Sequence, residues 1–297
     1  MNTFLENLKE VPFIFEAQLS FFTTYHVGGE AEVLALPETE EQIKQLVNFT
    51  NKKHIPFRVM GLGSNILVSD FGLRGITCCL KNFKSIKIDG NKVTANAGTA
   101  LDEVVRTSID AGLGGLENLS GIPGSVGGAV FMNAGAFKTE TFDKLISFKI
   151  LDIDGNIREL KKEEVKYAYR KVWGIEDCVI LSATWELEKT DKIVLVARRA
   201  DILKSRAEKQ PLDYPSAGSV FKRPVGAYAS KLIDDCGLRG LTVGGAQVST
   251  KHAGFIINYQ NATAQDIYEL IKEVQKIVKA KTGFTLEPEQ IFWGKFK

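Results

Sequence analysis

The chain has 297 residues, of which 44% are hydrophobic and 25% charged, and its formal net charge is +2. A chain of this length is longer than one compact domain usually is, so two or three domains are expected. The nearly balanced charge gives no reason to expect a nucleic-acid or anionic-membrane partner.

The N-terminal segment mixes charged residues into its apolar positions and has no signal-peptide pattern. No stretch approaches the roughly 20 apolar residues that a bilayer span requires. The cysteines form no CxxC pair and no Cys/His cluster, which disfavours a zinc site or a disulfide scaffold: Cys78, Cys79, Cys178 and Cys236. We therefore expect a soluble protein of the cytoplasm that binds no metal ion.

Residues 33–68 have the pattern of a strand, a helix and a second strand. The strands are VLAL and FRVMG. The helix begins at Thr39, with Gln42 three residues later as a capping box, and Pro56 marks the turn that follows it. The pattern predicts a βαβ-like unit.

A second mixed unit begins with the predicted strands ITCCL, SIKI and KVTANAG. Asp89-Gly90 is predicted to form a hairpin turn between SIKI and KVTANAG. The next helix is predicted to be capped by Thr99 and Asp102 and to end at Gly112. The following segment, residues 112–135, is rich in glycine. That segment is too apolar for a disordered linker, so it is predicted to be a packed loop that leads into a helix.

The strands FKILDI and NIREL flank an Asp154-Gly155 turn, the strand VILSATWEL follows, and a helix rich in Lys and Arg spans about 191–209. We expect a domain boundary near residue 200. Beyond it come the irregular loop PLDYPSAGSVFKRP, a short helix near 227–236 and the strand GFIIN. An amphipathic helix over 264–281 has Thr263 as its cap and Gly283 after its end.

The first candidate site is the loop Gly61-Leu62-Gly63-Ser64-Asn65, which lies between two apolar strands. Its glycines would let backbone N–H groups approach a phosphate, and Ser64 and Asn65 add side-chain donors. A plain tight turn is the alternative. The GxGxxG spacing of dinucleotide-binding folds fails at Ile66, and the chain contains no GxxxxGK[ST] phosphate loop.

The second candidate is the segment Gly121–Ala129, GIPGSVGGA, which places Pro123 and Ser125 near the start of a helix. Free N–H groups and partial positive charge at a helix N-terminus suit an anion. Close packing of the helix through its glycines is the alternative. Two such segments in one chain favour a ligand that carries a diphosphate.

The third candidate is SAGSVFKRP, residues 216–224, which presents a hydroxyl beside two cations. A serine nucleophile would need His26, His54 or His252 as its base, and no GxSxG elbow is present. Ser219 therefore fits a hydrogen-bond or proton donor better than an acylated nucleophile. A surface turn remains the alternative.

Two further features are weaker. Arg170, after Tyr169, could clamp a carboxylate in a bidentate fashion or form an ordinary surface ion pair. Glu287 and Glu289 follow the last helix just before the apolar IFWG, and the residues alone scarcely decide which of the two is functional.

Together these motifs resemble the UDP-N-acetylenolpyruvoylglucosamine reductases (UDP-N-acetylmuramate dehydrogenases, the MurB family). The similarity covers almost the whole chain, because seven motifs occur in the order that the family has: TTYHVGG (23–29), GLGSNILVSD (61–70), GLENLSGIPGSVGGAVFMNAGA (115–136), YAYR (167–170), SAGSVFKRP (216–224), GGAQVSTKHAGFIIN (244–258) and LEPE (286–289).

The resemblance implies an α+β fold in three parts. A two-part FAD-binding unit of the vanillyl-alcohol-oxidase-like (PCMH) type would comprise subdomains 1–75 and 76–200. A third α+β domain, 201–297, would bind the substrate, and about the last 15 residues would return to the active site.

The resemblance also implies the reaction and its residues. NADPH would reduce a non-covalent FAD, which would then pass a hydride from N5 to the enolpyruvyl group of the UDP-sugar. Arg170 and Glu289 match the pair that stabilises the enol, and Ser219 matches the proton donor. The residues that match the FAD-binding positions are Gly61, Leu62, Gly63, Ser64, Asn65, Ile122, Ser125, Gly127, Gly128 and Ala134.

The chain departs from the family pattern at several positions. His26 stands where the family usually has Arg, Val172 replaces a serine, and Arg223 replaces an Asn. The interval between Arg170 and Ser219 is too short for an extra substrate-capping loop, which indicates the short, type II form. In the third domain, Lys222, Arg223 and His252 are the candidates for contacting the uridine diphosphate.

Two other functions fit parts of the sequence. An FAD-dependent oxidase of the same cofactor fold often tethers its flavin through His or Cys, and nothing in the sequence places either residue beside the two glycine segments. A non-catalytic protein that binds flavin or nucleotide-sugar is disfavoured by the joint presence of Ser219, Arg170 and Glu289. The expected state is a monomer or a weak oligomer, with the UDP-sugar as small-molecule partner.

Overall fold

The computed structural model describes residue 8 and residues 10–297. It contains six α-helices within that part of the chain: α1 (Glu40–Lys53), α2 (Leu101–Asp110), α3 (Val126–Phe131), α4 (Lys192–Lys209), α5 (Ala229–Asp235) and α6 (Ala264–Thr282).

Twenty strands, most of them short, lie among the described residues. In chain order they are β1 (Phe13–Gln18), β2 (Glu30–Ala35), β3 (Phe57–Met60), β4 (Ile66–Val68), β5 (Leu73–Cys79), β6 (Ile86–Asp89), β7 (Lys92–Asn96), β8 (Leu113–Gly114), β9 (Gly135–Ala136), β10 (Thr139–Glu140), β11 (Leu145–Leu151), β12 (Ile157–Lys161), β13 (Tyr167–Ala168), β14 (Lys171–Val172), β15 (Val179–Glu186), β16 (Glu188–Lys189), β17 (Thr242–Val243), β18 (Ala246–Val248), β19 (Ile256–Asn258) and β20 (Ile291–Trp293).

The chain divides into two compact units. The first comprises the described residues up to Phe15 together with Val33–Leu62 and Arg74–Lys204. The second comprises Glu16–Glu32, Gly63–Leu73 and Ser205–Lys297. The finer division into subdomains 1–75, 76–200 and 201–297 stays a prediction.

Two sheets organise the first unit. A four-stranded sheet has the order β1-β2-β5-β3, in which β3 and β5 run parallel, and an antiparallel five-stranded sheet has the order β12-β11-β15-β7-β6. The pairing of β6 with β7 confirms the hairpin predicted at Asp89-Gly90. One continuous apolar core lies in this unit. Its largest fully buried side chain is Trp185, whose indole N–H donates to the Thr141 carbonyl at 3.1 Å.

Helix α1 begins where its sequence predicts, because the Thr39 side chain accepts the Gln42 N–H at 3.2 Å. The reciprocal bond differs from a standard capping box, since Gln42 accepts the Glu38 N–H rather than that of Thr39. The caps predicted for α2 are wrong. Its N-cap is Ala100, without a side-chain bond, because the Thr99 hydroxyl is engaged with the backbone of Ser85.

The second unit is built around α6. The antiparallel sheet β17-β18-β19 contacts this helix, and α5 packs beside it. Thr263 and Asp266 form the predicted capping box, and Gly283 ends the helix in the left-handed conformation at φ 78°. Strand β20 pairs in parallel with β4, so the C-terminal segment lies directly beside the strand that follows the first glycine loop.

Candidate active site

The start of the first glycine loop touches the start of α3 in the first unit. A Cβ atom built on Gly61 would lie 2.0 Å from the Ser125 hydroxyl oxygen, so only glycine permits this approach. The Cys79 thiol also lies beside the loop and donates to the Gly61 carbonyl at 3.5 Å. Nothing in the sequence had placed a cysteine beside the glycine segments, and the structure places Cys79 there. Cys79 is buried, and burial raises the pKa of its thiol, which therefore supports the loop as a neutral donor.

The start of α3 differs from the open anion site that its sequence predicts. The N–H groups of Val126 and Gly127 donate to carbonyls in the segment that joins β7 to α2, and the Gly128 N–H donates to the Ser125 hydroxyl. The first N–H groups of α3 are therefore hydrogen-bonded within the protein and are not available to a ligand. The N–H of Ser125 is different, since it finds no acceptor within the described part of the chain although Ser125 is only 2% exposed. Buried N–H groups without a partner are rare, so this one is suited to a ligand oxygen.

Arg170 lies against the loop after α3, where Ala134 is located. Its guanidinium donates to the carbonyls of Asn133 and Gly135, at 3.3 and 2.8 Å. The two bonds bracket Ala134, whose own carbonyl accepts the Thr141 N–H and hydroxyl at 2.8 and 2.7 Å. The structure thus places a candidate catalytic residue and a candidate flavin-binding residue side by side within the first unit.

The backbone is in an uncommon conformation at two residues that bring Arg170 beside Ala134. Arg170 is in the two-residue turn between β13 and β14 at φ 56°, and Asn133 has φ 42°, both uncommon for residues other than glycine. The Asn133 side chain is fully buried and donates to the carbonyl of Ala168, just before the turn, at 3.2 Å. Sequence reasoning missed Asn133, because its bond to Ala168 joins positions 35 residues apart.

The segment that precedes α3 is anchored by Asp102. This carboxylate accepts the Gly121 N–H at 2.6 Å and a bidentate pair of bonds from Arg199 at 2.6 and 2.7 Å. Burial alone would raise the pKa of Asp102, but the Arg199 guanidinium and the Gly121 N–H outweigh it and lower that pKa.

Replacing Asp102 with Asn is expected to lower the free energy of unfolding at pH 7 by about 1 kcal/mol, since the partly exposed pair is screened by solvent. Because the pKa is lowered in the folded state, this contribution is present above the unfolded-state pKa of about 3.9 and is lost as the pH falls below it. Urea unfolding of both proteins at pH 7 and pH 3.5 measures it. The matched control is Asp110→Asn, because exposed Asp110 pairs with Lys192 across the same two helices, α2 and α4. A deficit independent of pH would contradict the prediction.

In the second unit, the rest of the first glycine loop presents backbone donors. Within the described chain, the N–H groups of Gly63, Ser64 and Asn65 find no acceptor, and Gly63 is buried. Gly63 has φ 65°, and a Cβ there would lie 2.1 Å from the Phe22 carbonyl oxygen. Consecutive unpartnered N–H groups in such a turn form a concavity suited to an anion.

The same loop is joined to the segment that carries Glu289. The Asn65 side chain donates to the Glu289 carbonyl at 3.2 Å, and the Asn65 carbonyl accepts the Ile291 N–H at 3.0 Å. The Glu289 N–H in turn donates to the Val220 carbonyl at 2.8 Å, next to Ser219. Ser219 is exposed and Glu289 half-buried, so both side chains are accessible to a ligand.

The three predicted uridine-diphosphate contacts occupy different settings in the second unit. Lys222 pairs with Glu287 at 2.5 Å, and Arg223 lies over the Tyr228 ring at 4.7 Å. His252 accepts the Gly254 N–H through Nδ1 at 3.1 Å, and burial lowers the pKa of its imidazole. His252 therefore tends to be neutral near pH 7.

Two cavities of about 310 and 420 Å³ lie in the second unit, and both are lined by Tyr214 and Tyr259. Neither is lined by Ser219 or Glu289. His26, at φ 56°, lines the larger one. In the described residues no group of three or more His, Cys, Asp and Glu side chains could hold a metal ion, and no helix there is long and apolar enough to cross a membrane.

Each unit, considered by itself, has a feature that fits an anionic group such as the diphosphate of FAD. The buried N–H groups of Ser125 and Gly63 find no acceptor in the parts of their units that are described. Glycine is required at Gly61 and Gly63 by the atoms already present. Small residues and backbone donors without a protein acceptor allow a ligand to approach the backbone closely.

Comparison with known proteins agrees with this fit. Residues 31–161 match the family model described as an FAD binding domain, and residues 210–293 match the C-terminal domain of UDP-N-acetylenolpyruvoylglucosamine reductase. The chain is 45% identical to the UDP-N-acetylenolpyruvoylglucosamine reductase of Pediococcus pentosaceus over 97% of this chain and 96% of that one. It is 42% identical to the Enterococcus faecalis reductase, covering 97% of each.

Among solved structures, the UDP-N-acetylenolpyruvylglucosamine reductase (MurB) of Thermus caldophilus is similar with a TM-score of 0.82 and 34% identity, covering 96% of this chain and 99% of that one. A grass pollen allergen with glucose dehydrogenase activity, Phl p 4, is similar in fold alone, with a TM-score of 0.50 and 16% identity over 64% of this chain and 44% of that one. These relatives confirm the α+β fold with an FAD-binding part. The chain belongs to the UDP-N-acetylenolpyruvoylglucosamine reductase family.

Proposed function

We propose that the chain is the FAD-dependent, NADPH-using reductase that converts UDP-N-acetylenolpyruvoylglucosamine to UDP-N-acetylmuramate for peptidoglycan synthesis. Family membership over nearly the full length of the relatives supports the reaction. The N–H groups of Ser125 and Gly63, for which the described residues offer no acceptor, support the cofactor.

When bound, FAD would supply the hydride chemistry that links NADPH to the methylene carbon of the enolpyruvyl group. Delivery of the hydride leaves an electron pair on the adjacent carbon, which the substrate carboxylate delocalises. The residues of the chain must therefore stabilise negative charge and then supply one proton.

Arg170 is proposed to stabilise that charge. Its guanidinium is held at a fixed position by the Asn133 and Gly135 carbonyls, and a cation that needs no reorientation stabilises developing charge most effectively. Glu289 is proposed to share this task as a protonated carboxyl group that donates a hydrogen bond, because an ionised carboxylate would repel the negative charge. The backbone of Glu289 is fixed on both sides, by Asn65 through its carbonyl and by Val220 through its N–H.

Ser219 is proposed to give the proton. An enolate-like intermediate is a strong base, so a weakly acidic hydroxyl can protonate its carbon, and solvent restores the hydroxyl afterwards. The exposed position of Ser219 suits both steps. The observation that carries the assignment is the bond from the Glu289 N–H to the Val220 carbonyl, which joins the segments of two residues proposed to act in one step.

The remaining assignments follow from the same proposal. Gly61 to Asn65, with Ile122, Ser125, Gly127, Gly128 and Ala134, would hold FAD, and residues 201–297 would form the substrate-binding domain. Lys222, Arg223 and His252 would contact the uridine diphosphate. We further propose a cytoplasmic monomer or weak oligomer, with which the four free cysteines are consistent.

An absorbance spectrum of the purified protein, followed by NADPH oxidation with and without the enolpyruvyl UDP-sugar, tests the function. We expect a flavin spectrum, release of the flavin on denaturation, and NADPH oxidation that is faster with the sugar. Flavin that stays with the denatured chain would instead support an oxidase that tethers its cofactor. A flavin spectrum without turnover of the enolpyruvyl UDP-sugar would support a binding protein.

A further inference from the structure

A buried chain of polar side chains lies behind Ser219 and Glu289 in the second unit. The Tyr25 hydroxyl donates to the Gln290 side-chain carbonyl at 3.0 Å, and the Gln290 amide donates to the Ala217 carbonyl at 3.1 Å. Tyr25 is fully buried and Gln290 is 4% exposed. The backbone carbonyl of Tyr25 is itself held by the Asn258 amide at 3.1 Å.

These bonds provide two of the contacts that hold the loop carrying Ser219, and a third is the bond from the Val220 N–H to the Gly254 carbonyl at 3.0 Å. Gln290 holds the carbonyl of Ala217, before Ser219, and the Glu289 N–H holds the carbonyl of Val220, after it. Gly218, between them, has φ 73°, and apart from its two chain neighbours no described residue has an atom within 4 Å of a Cβ placed on it. Gln290 and the Glu289 N–H therefore help to fix the residues on both sides of Ser219, together with the Gly254 carbonyl.

We propose that Gln290, oriented by the Tyr25 hydroxyl, is a positioning residue that sets the Ser219 hydroxyl relative to Glu289 for the protonation step. A buried amide with hydrogen bonds at both its oxygen and its nitrogen has a preferred orientation, because turning it over would break both bonds in a medium of low polarity. Burial also raises the pKa of Tyr25, so its hydroxyl remains a donor over the physiological range.

The inference rests on the proposed role of Ser219, and stopped-flow spectroscopy of the FAD-loaded protein tests it. Gln290→Met keeps the volume of the side chain but removes the bond to Ala217. We expect reoxidation of the reduced flavin by the enolpyruvyl UDP-sugar to slow about 10- to 100-fold, the effect of a misplaced reacting group. Reduction of the flavin by NADPH should change less than about twofold, because it does not use the proton donor.

A double-mutant cycle separates positioning from a general structural effect. If Gln290 acts through Ser219, Gln290→Met should cause no further slowing of reoxidation in the Ser219→Ala background. Equal slowing in both backgrounds would overturn the inference while leaving the proposed function intact. If Ser219→Ala itself impairs both half-reactions equally, the proposed role of Ser219 fails instead.

Tyr25→Phe provides a milder variant, since it removes one hydroxyl and keeps the ring. We expect the same selective slowing, smaller than that of Gln290→Met, with a folded protein by its melting curve. Tyr268→Phe is the matched control, because Tyr268 stacks on Phe296 in the same unit and no described residue accepts from its hydroxyl. Unchanged reoxidation in Tyr25→Phe, or equal slowing in Tyr268→Phe, would count against the inference.

Discussion

Ser219→Ala is expected to slow reoxidation of the reduced flavin by the enolpyruvyl UDP-sugar by about 10²- to 10⁴-fold, or roughly 3 to 5 kcal/mol of transition-state stabilisation. The reason is that the strongly basic carbon of the intermediate would have to take its proton from water. Reduction of the flavin by NADPH should stay close to that of the unchanged protein, because that half-reaction needs no proton from Ser219. Stopped-flow absorbance of the flavin measures the two half-reactions separately.

The matched control is Ser216→Ala, a serine of the same loop for which no catalytic role is proposed. It should leave both half-reactions within about twofold of the unchanged protein. Ser219 is exposed, so its replacement creates no cavity and should not alter the melting temperature. Equal impairment of both half-reactions in Ser219→Ala would exclude it as the specific proton donor.

Gly63→Ala is expected to lower the free energy of unfolding by roughly 2 to 5 kcal/mol and to give protein depleted of FAD. Two effects add. The residue has φ 65°, where a side chain is strained, and its Cβ would lie 2.1 Å from the Phe22 carbonyl oxygen and 2.8 Å from the Thr23 Cα. Relief of that overlap must move the loop whose N–H groups are proposed to face the diphosphate. Urea unfolding and the ratio of flavin to protein absorbance measure the two consequences.

Gly90→Ala is the control that measures the cost of backbone strain without steric overlap of the new Cβ atom. Gly90 has φ 61°, nearly that of Gly63, but apart from its chain neighbours no described residue has an atom within 4 Å of a Cβ placed there. We expect this control to cost about 1 kcal/mol and to retain its FAD. If Gly63→Ala retained FAD fully and cost no more than Gly90→Ala, the loop would not be the cofactor-binding element.

The local pattern of the sequence predicted most of the regular elements. Helix α6 and its ends follow from an apolar stripe, the Thr263 cap and Gly283, all of which depend on neighbours within a few residues. The hairpin at Asp89-Gly90 is equally local. The cap of α2 failed for a long-range reason, because Ser85, from a preceding segment, engages the Thr99 hydroxyl that would have served as its cap.

In the candidate active site, too, local features could be predicted from the sequence and long-range contacts could not. The glycine loops were recognisable because glycine at close approaches is visible in a sequence, and the motif order indicated the family. The use of the α3 donors by Ala97 and Thr99 was not predictable, nor was the bracketing of Ala134 by Arg170, since each depends on which distant segment packs nearby.

The sequence by itself determined that this chain carries two glycine-rich segments suited to a diphosphate, together with Arg170, Ser219 and Glu289 as candidate catalytic residues. Only the tertiary structure decided which N–H groups remain for a ligand, Ser125 and Gly63 among them. It also showed that Tyr25 and Gln290 are hydrogen-bonded to each other and that Gln290 is bonded to Ala217, two residues before Ser219. The physical reason is that a hydrogen bond between residues 25 and 290 cannot be recognised from the local pattern of the sequence. Burial of both side chains favours this one pairing, because an unpaired polar group would be costly there.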